Sequence, residues 1–418
     1  MKDVSWIDNL TARLSYGELG NDSIGSYYAW QSFYNLTWPN ANQSGALVSS
    51  LANPTISWEK KGTWNAGIEG TFFNQILNFT FEYYNSKTSD MLLSYPMALS
   101  TGFSGYDANV GSMRNQGFEG SIRVNWLNTS NVRASSTVMG YINRNKVLQL
   151  TGDSPSILSG SQVILEGLPI YSWYVPRAAG VDPATGRMLY WAYKEVPANS
   201  SDKNYNAEEF AKSYYIPNTV HLQNDEEKGI KAGDPIFGYE YKTTDTAEAT
   251  NSKYIGYGSR EPKFQGSFGS DFQFGPVDFS FLTTFSVGGY AWDSVYASAM
   301  EITYAGDTWS KHALRRWQNP GDVTDVPILE IGSKNISADR WLVDASYFAI
   351  KSVQLGYTMP TKWTKKIGIK SLRLFAMGDN LVLFSKLNGF NPQYNMTGGT
   401  SWAYTPTRTV SVGIDINF

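Results

Sequence analysis

Cysteine is absent from the 418-residue sequence, which excludes a disulfide scaffold, a zinc ribbon and a thiol nucleophile. Histidine is nearly absent. The two present, His221 and His312, lie far apart, so no HExxH-type site exists. Charge is sparse as well: Asp, Glu, Lys and Arg make up 17% of the chain, against roughly 25% in an ordinary soluble domain. A net charge of −3 leaves no basic footprint for nucleic acid. No run approaches the roughly 18 consecutive apolar residues of a membrane-spanning helix. The mean hydropathy of −0.33 does not exclude a membrane β-barrel, whose strands alternate so that the average conceals the lipid face. There is no GxSxG elbow, Walker A loop or GxGxxG turn. No enzymatic activity, cofactor or metal is expected.

Aromatic residues, by contrast, reach 15%, with 27 Tyr, 21 Phe and 14 Trp beside 38 Gly. Amphipathic rings at this density suit a β-protein that meets lipid headgroups. Strict alternation dominates the chain. In residues 276–288, Val277, Phe279, Phe281, Phe285 and Val287 share one face, while Asp278, Ser280, Thr284 and Ser286 share the other. A period of 2 over this length predicts a strand. Phe264, Phe268, Phe272 and Phe274 repeat the pattern just before it, and Gly275-Pro276 joins the two as a hairpin. Residues 64–73 and 76–86 pair through Asn74-Gln75, and residues 115–127 and 130–142 pair around Asn128–Asn131. Residues 8–16, 25–34, 345–358, 369–379 and 407–418 also read as strands. The total is about a dozen, without a convincing amphipathic helix.

The connections are unequal. One set is a few residues long, and the other spans roughly 35–63, 87–114, 143–169, 195–260, 289–344 and 380–406. Short turns on one side and long loops on the other are the pattern of an outer-membrane barrel; a compact soluble domain rarely holds loops this long. One strand face carries Glu69, Glu82, Glu119, Arg123, Asp271, Asp278 and Asp415. Such charges are tolerable toward a watery lumen and costly toward lipid. The chain ends on Val410, Val412, Ile414, Ile416 and Phe418 on one face, alternating with Ser411, Gly413, Asp415 and Asn417. A final alternating strand ending in Phe is similar to the assembly signal of outer-membrane barrels, where the last strand must pair to leave no open edge in lipid.

Several blocks together resemble the SusC/RagA family of TonB-linked outer-membrane transporters. They are residues 53–91, YPMALSTGF (95–103), NVGSMRNQGFEGSIRVNW (109–126), GVDPATGRMLY (180–190), residues 257–281, RWQNPGD (316–322), ASYFAIKSVQLGYTMP (345–360), MGDNLVLFSKLNGFNPQ (377–393) and the last strand. The resemblance implies an all-β fold: the C-terminal portion of an antiparallel transmembrane barrel of about 22 strands, the class whose lumen is plugged. The plug domain, the TonB box and a leader peptide have no counterpart in residues 1–418, so the expectation is one domain, either a truncated gene product or an excerpt of a longer transporter. The resemblance further implies a Gram-negative outer-membrane location, oligosaccharide or oligopeptide substrates, a SusD-like surface lipoprotein lid, coupling to TonB through the missing N-terminal region, and dependence on the barrel assembly machinery and outer-membrane lipid.

Ligand contacts are expected from loop aromatics: Trp173, Tyr174 and Arg177 in YSWYVPR, Trp309 and Trp317, and Trp402 and Tyr404. Flat rings stack on sugar faces or peptide groups, and an arginine pairs a carboxylate. Packing in a headgroup-level girdle or among the loops is the competing role for each. Residues 289–344 and 195–260 form the expected docking surface for the lipoprotein. The acidic run Asn224-Asp225-Glu226-Glu227 reads as a solvated loop, and Asp182 as the head of an Asx turn. A siderophore-type receptor and a passive porin compete with nutrient import. Two further alternatives are an outer-membrane enzyme, disfavoured by the scattered histidines, and a soluble extracellular binding module.

Overall fold

The computed structural model describes residues 4–23, 27–39, 41, 43–150, 155–301, 306, 308–330, 335–388, 391–393 and 405–418. Its backbone is one ten-stranded antiparallel sheet carrying a large assembly of connections at one end. The sheet strands are β1 (Ile7–Asn21), β2 (Glu59–Phe72), β3 (Leu77–Ser89), β4 (Ser112–Asn128), β5 (Val132–Gln149), β6 (Phe264–Phe274), β7 (Val277–Val287), β8 (Tyr347–Thr358), β9 (Ser371–Ser385) and β10 (Thr409–Asn417). They lie side by side in chain order, each paired with its sequence neighbour, and β1 and β10 form the two edges.

Register follows the alternation. Phe81 pairs Gly120, Gly120 pairs Gly140 and Gly140 pairs Gly266, so one outward row runs across four strands. The outward face is apolar and open to its surroundings: Phe118 is 62% exposed, Trp126 59% and Ile414 60%. A water-facing sheet with such a surface would aggregate; facing hydrocarbon, it needs no further cover. Polar side chains turn inward and pair there. Arg13 bonds Glu69 at 2.6 Å, and Arg373 bridges Asp278 at 2.6 Å and Asp415 at 3.0 Å.

The turns account for the tight end. Gly275 has φ of +55° and is followed by Pro276, whose ring fixes a negative φ. This order of signs is the one a two-residue hairpin loop takes when glycine comes first. Phe73, Asn74 and Gln75 all have positive φ, and the Gln75 amide donates to Asp8 at 2.8 Å, which helps hold this strained corner. Only residues 359–370 make a longer connection at this end, with a one-turn helix at Thr361–Thr364.

At the other end the connections are 22–58, 90–111, 150–263, 288–346 and 386–408. Three sequence-based expectations change here. The segment 25–34 is not a sheet strand: its described part forms only Phe33–Asn35, paired with Leu47–Ser50. The loops expected at 143–169 and 195–260 are parts of a single connection, because 175–181 and 188–195 pair within their own five-stranded sheet with 214–220, 235–243 and 253–254. Short α-helices also occur, at Ala207–Lys212, Thr246–Asn251 and Ser294–Met300, capped by the Asn206, Asp245 and Asp293 side chains.

This assembly has a protein interior of its own. Ile216, Ile236 and Tyr254 pack as one cluster, and Trp173, Val175 and Leu342 as another. It is tied to the sheet by Val147, which packs with Val110, Leu150, Ile157 and Ile164, and by the Ile170 amide, which donates to Asn145 at 2.7 Å.

Candidate functional site

Two regions gather polar chemistry: the inward face of the sheet and the loop assembly above it. On the inward face a concavity of about 500 Å³ is lined by Glu82, Glu119, Tyr141, Gln265 and Tyr347 among others. Glu82 and Glu119 lie directly opposite each other across the ladder. Like charges so placed repel, and Arg13, 3.9 Å from Glu82, relieves only one of them. The Tyr141 hydroxyl donates to Gln265. Toward the loops the surface becomes a relay of amides. The Tyr84 hydroxyl donates to Asn143 at 2.8 Å, and Asn143 and Asn145 both donate to Asn115, at 3.3 and 2.9 Å. This wall of carboxylates, phenols and amides can exchange hydrogen bonds with hydroxyl- or amide-rich solutes. Alternation had placed Glu82 and Glu119 on the polar face; their grouping with Tyr141, Gln265 and Tyr347 depends on strand register, which the sequence does not print.

The loop aromatics have varied fates. Trp173 is 4% exposed and its indole N–H donates to the Tyr290 carbonyl at 3.0 Å. Trp317 is 7% exposed, donates to the Pro183 carbonyl at 2.9 Å and covers Gly186, whose φ of +72° closes a turn. Both rings are core, with no face open for stacking. Arg177 lies 4.9 Å from the Trp191 ring centre and 4.4 Å from that of Tyr254, and ion-pairs with Glu240. The carboxylate expected from a substrate is therefore already supplied by the protein. Tyr174 is half-buried beneath the Lys253 ammonium, 5.5 Å from its ring centre, and burial raises its phenol pKa. Trp309 is 38% exposed. Trp402 and Tyr404 lie outside the described residues.

Other loop groups hold structural posts. Asp182 accepts from the Ala184 amide at 3.1 Å and the Thr185 hydroxyl at 2.6 Å, the Asx turn expected, and these bonds hold its carboxyl below the usual range. Asp225 pairs with Lys228 at 2.8 Å in the exposed acidic loop. Asp339 accepts from the Ala178 amide at 2.7 Å and from the Tyr257 hydroxyl. Burial nevertheless keeps the Asp339 carboxyl above its ordinary value, and it does the same to Glu301. His312 meets the Tyr296 hydroxyl at 2.8 Å, and His221 lies 3.4 Å from Glu195. Among the described residues no three His, Asp or Glu side chains converge as a metal site would require.

The β10 side chains Val410, Val412, Ile414 and Ile416 form one outward row, and the strand pairs with β9 from Thr409 to Asn417. Phe418, just past the strand, is 76% exposed.

Residues 3–219 match the family described as TonB dependent receptor-like, beta-barrel. The whole chain aligns at 26% identity with TonB-dependent receptor P39 of Formosa agariphila, covering 41% of that protein. It aligns at 24% with TonB-dependent receptor SusC of Bacteroides thetaiotaomicron, covering 38%. In fold it superposes along its full length on 42% of a chain in the structure of the RagAB peptide transporter, with a TM-score of 0.77 at 22% identity. The chain thus spans about two fifths of the length of the relatives it matches.

Proposed function

Because the chain belongs to the TonB-dependent receptor-like β-barrel family, we propose that it is the C-terminal portion of an outer-membrane importer of oligosaccharides or oligopeptides, driven through TonB and lidded by a SusD-like lipoprotein. One observation carries the reading. Ten neighbouring strands present apolar side chains outward and ion pairs inward, with short turns at one end and a folded assembly at the other. This is how a sheet is built to face lipid on one side and a watery lumen on the other. The inward wall of Glu82, Glu119, Tyr141 and Gln265 is the surface past which solute moves. Trp309 and Tyr174 are the remaining ring contacts for it, and Trp402 and Tyr404 are proposed for the same role. Residues 195–260 and 289–344 dock the lipoprotein, and β10 with Phe418 guides assembly of the barrel. In this role the chain carries no catalytic centre.

Uptake is the test. Cells expressing the full-length protein are given labelled oligopeptides, oligosaccharides, small solutes and ferric chelates in parallel, with and without functional TonB. TonB-dependent accumulation of either class supports the reading and names the substrate. TonB-independent leakage of small solutes makes the barrel a passive pore, and uptake restricted to ferric chelates makes it a siderophore receptor; either replaces the proposal. Co-purification of a surface lipoprotein, lost when 195–260 is trimmed, tests the docking surface.

A further inference from the structure

We propose that the outward surface just beyond the apolar band binds the phosphate groups of an outer-leaflet lipid headgroup through Lys87, Arg114 and Lys146. Lys87 pairs directly with Arg114, and Arg114 directly with Lys146, on the adjoining strands β3, β4 and β5. Side chains directly opposite one another stand about 5 Å apart, and like charges so placed repel. Three cations in one row therefore oppose the folding of the strands that carry them unless an anion lies among them. None of the three forms an ion pair among the described residues. The Arg114 Nε is shielded from solvent and has no hydrogen-bond partner, a costly position for a charged donor. Lys87 and Lys146 are exposed.

The row faces outward. Its neighbours on the same strands, Ser86, Thr88, Asn145 and Val147, are buried on the inner side. Nearby cations enlarge the patch. Arg144 is exposed and bonds only the backbone carbonyls of Asn143 and Lys263, and Lys60 is paired with Asp90 at 3.4 Å. Of the nearby acids, Asp90 is paired with Lys60 and Glu261 turns toward Asn143 on the inner side, while Glu18, which accepts from the Tyr16 hydroxyl, is separated from Lys87 by the intervening strand at Gly62.

Height selects the partner. Along β4 the outward residues run Trp126, Val124, Ile122, Gly120, Phe118, Gln116 and then Arg114. At about 3.4 Å per residue, on strands tilted by roughly 40°, the span from Trp126 to Gln116 matches an apolar band about 25 Å tall. Arg114 falls just past it, at headgroup depth. Tyr16 with Trp64 and Tyr83 with Phe118 mark that boundary, at ring separations of 4.7 and 5.0 Å. A phosphorylated lipid offers anionic oxygens at this depth, and an arginine fork with two flanking ammonium groups matches a phosphate.

The inference rests on the membrane placement proposed above. The full-length protein, purified in detergent and shown to be an inserted barrel by heat-modifiable gel migration, is titrated by native mass spectrometry. The probes are diphosphorylated lipid A and the same lipid dephosphorylated. Retention of the phosphorylated form only is expected. The variants Lys87→Gln and Lys146→Gln should each weaken it about fivefold, Lys87→Arg should restore it, and Lys362→Gln with Lys366→Gln at the opposite end should leave it unchanged. Equal retention of both lipids in the unmutated protein overturns the inference without need of any variant, and so does unchanged retention in the Lys87→Gln/Lys146→Gln double variant. A protein that fails to insert overturns the membrane reading itself, whereas an inserted but phosphate-indifferent barrel overturns this inference alone.

Discussion

The spanning sheet and the loop assembly above it are built from the same pattern and solve opposite problems. In β4 the alternating apolar residues Phe118, Ile122 and Trp126 point away from the protein and stay exposed. In 188–195 the alternating residues Met188, Tyr190 and Ala192 are 6%, 1% and 0% exposed. One set awaits hydrocarbon as its solvent; the other has already found protein. Polar groups divide in mirror fashion, with ion pairs on the inner wall of the sheet and a caged guanidinium, Arg177, inside the loop assembly. Alternation thus fixes that a segment has two unlike faces, and leaves open which medium each face meets.

The sharpest way to break this comparison is to put a charge on each face of one strand. Ile122→Arg places a cation against hydrocarbon and should cost about 2–4 kcal/mol at mid-depth. Ser121→Arg, one residue away, turns it toward the lumen and should be nearly neutral. Urea titration of the folded barrel in lipid vesicles measures both, and equal costs would undo the assignment of faces. A cut of similar size belongs to the loop assembly. Tyr190→Ala removes a fully buried ring and the hydroxyl that accepts from the Ile336 amide at 3.1 Å. It should cost about 3–5 kcal/mol locally, seen as protease cleavage within 150–263 while heat-modifiable migration persists.

A smaller effect is expected from Arg177→Met, which leaves the Glu240 carboxylate accepting from the Tyr254 hydroxyl. We expect a loss of about 2 kcal/mol, partly recovered by the double change with Glu240→Gln in a thermal-melt cycle. Acidity separates the regions further. Burial holds the Asp339 and Glu301 carboxyls above their ordinary values, so these two groups bind protons more tightly in the folded assembly than in the unfolded chain. Their contribution to stability should be greatest below the ordinary carboxylate range and should fall as pH rises through the raised values. Hydrogen exchange at the Ala178 amide would report this, and Asp339→Asn should flatten the Asp339 part. The smallest change concerns the tight end, where Gln75→Gly at positive φ should stabilise the hairpin by about 1 kcal/mol, read from the same urea titrations.

Much of the sheet was legible beforehand. The hairpins meeting at Gly275-Pro276, at Asn74-Gln75 and near Asn128–Asn131 stand where alternation and turn residues put them. The loop module was not legible: 175–195 alternates like any sheet strand, and nothing local says that its partner is 235–243 rather than a neighbour in the barrel. The same limit governs the loop aromatics. Trp173, Trp317 and Trp309 are the same residue type in similar polar surroundings, yet two are walled in and one is open. The cationic row of Lys87, Arg114 and Lys146 was invisible for the same reason, since three residues from three strands meet only once register is known.

By itself, then, the sequence determined the period-2 strands, their unlike faces, the turns that close the tight end and the unequal connections, because these depend on residues near one another in the chain. The tertiary structure decided which strands join the main sheet, which rings become core, which carboxylates share the inner wall and which cations stand in line. Those outcomes come from hydrogen-bond register and packing between segments up to a hundred or more residues apart, as when Ser136 meets Ser270 across β5 and β6 at 2.6 Å. No local pattern encodes such a distance.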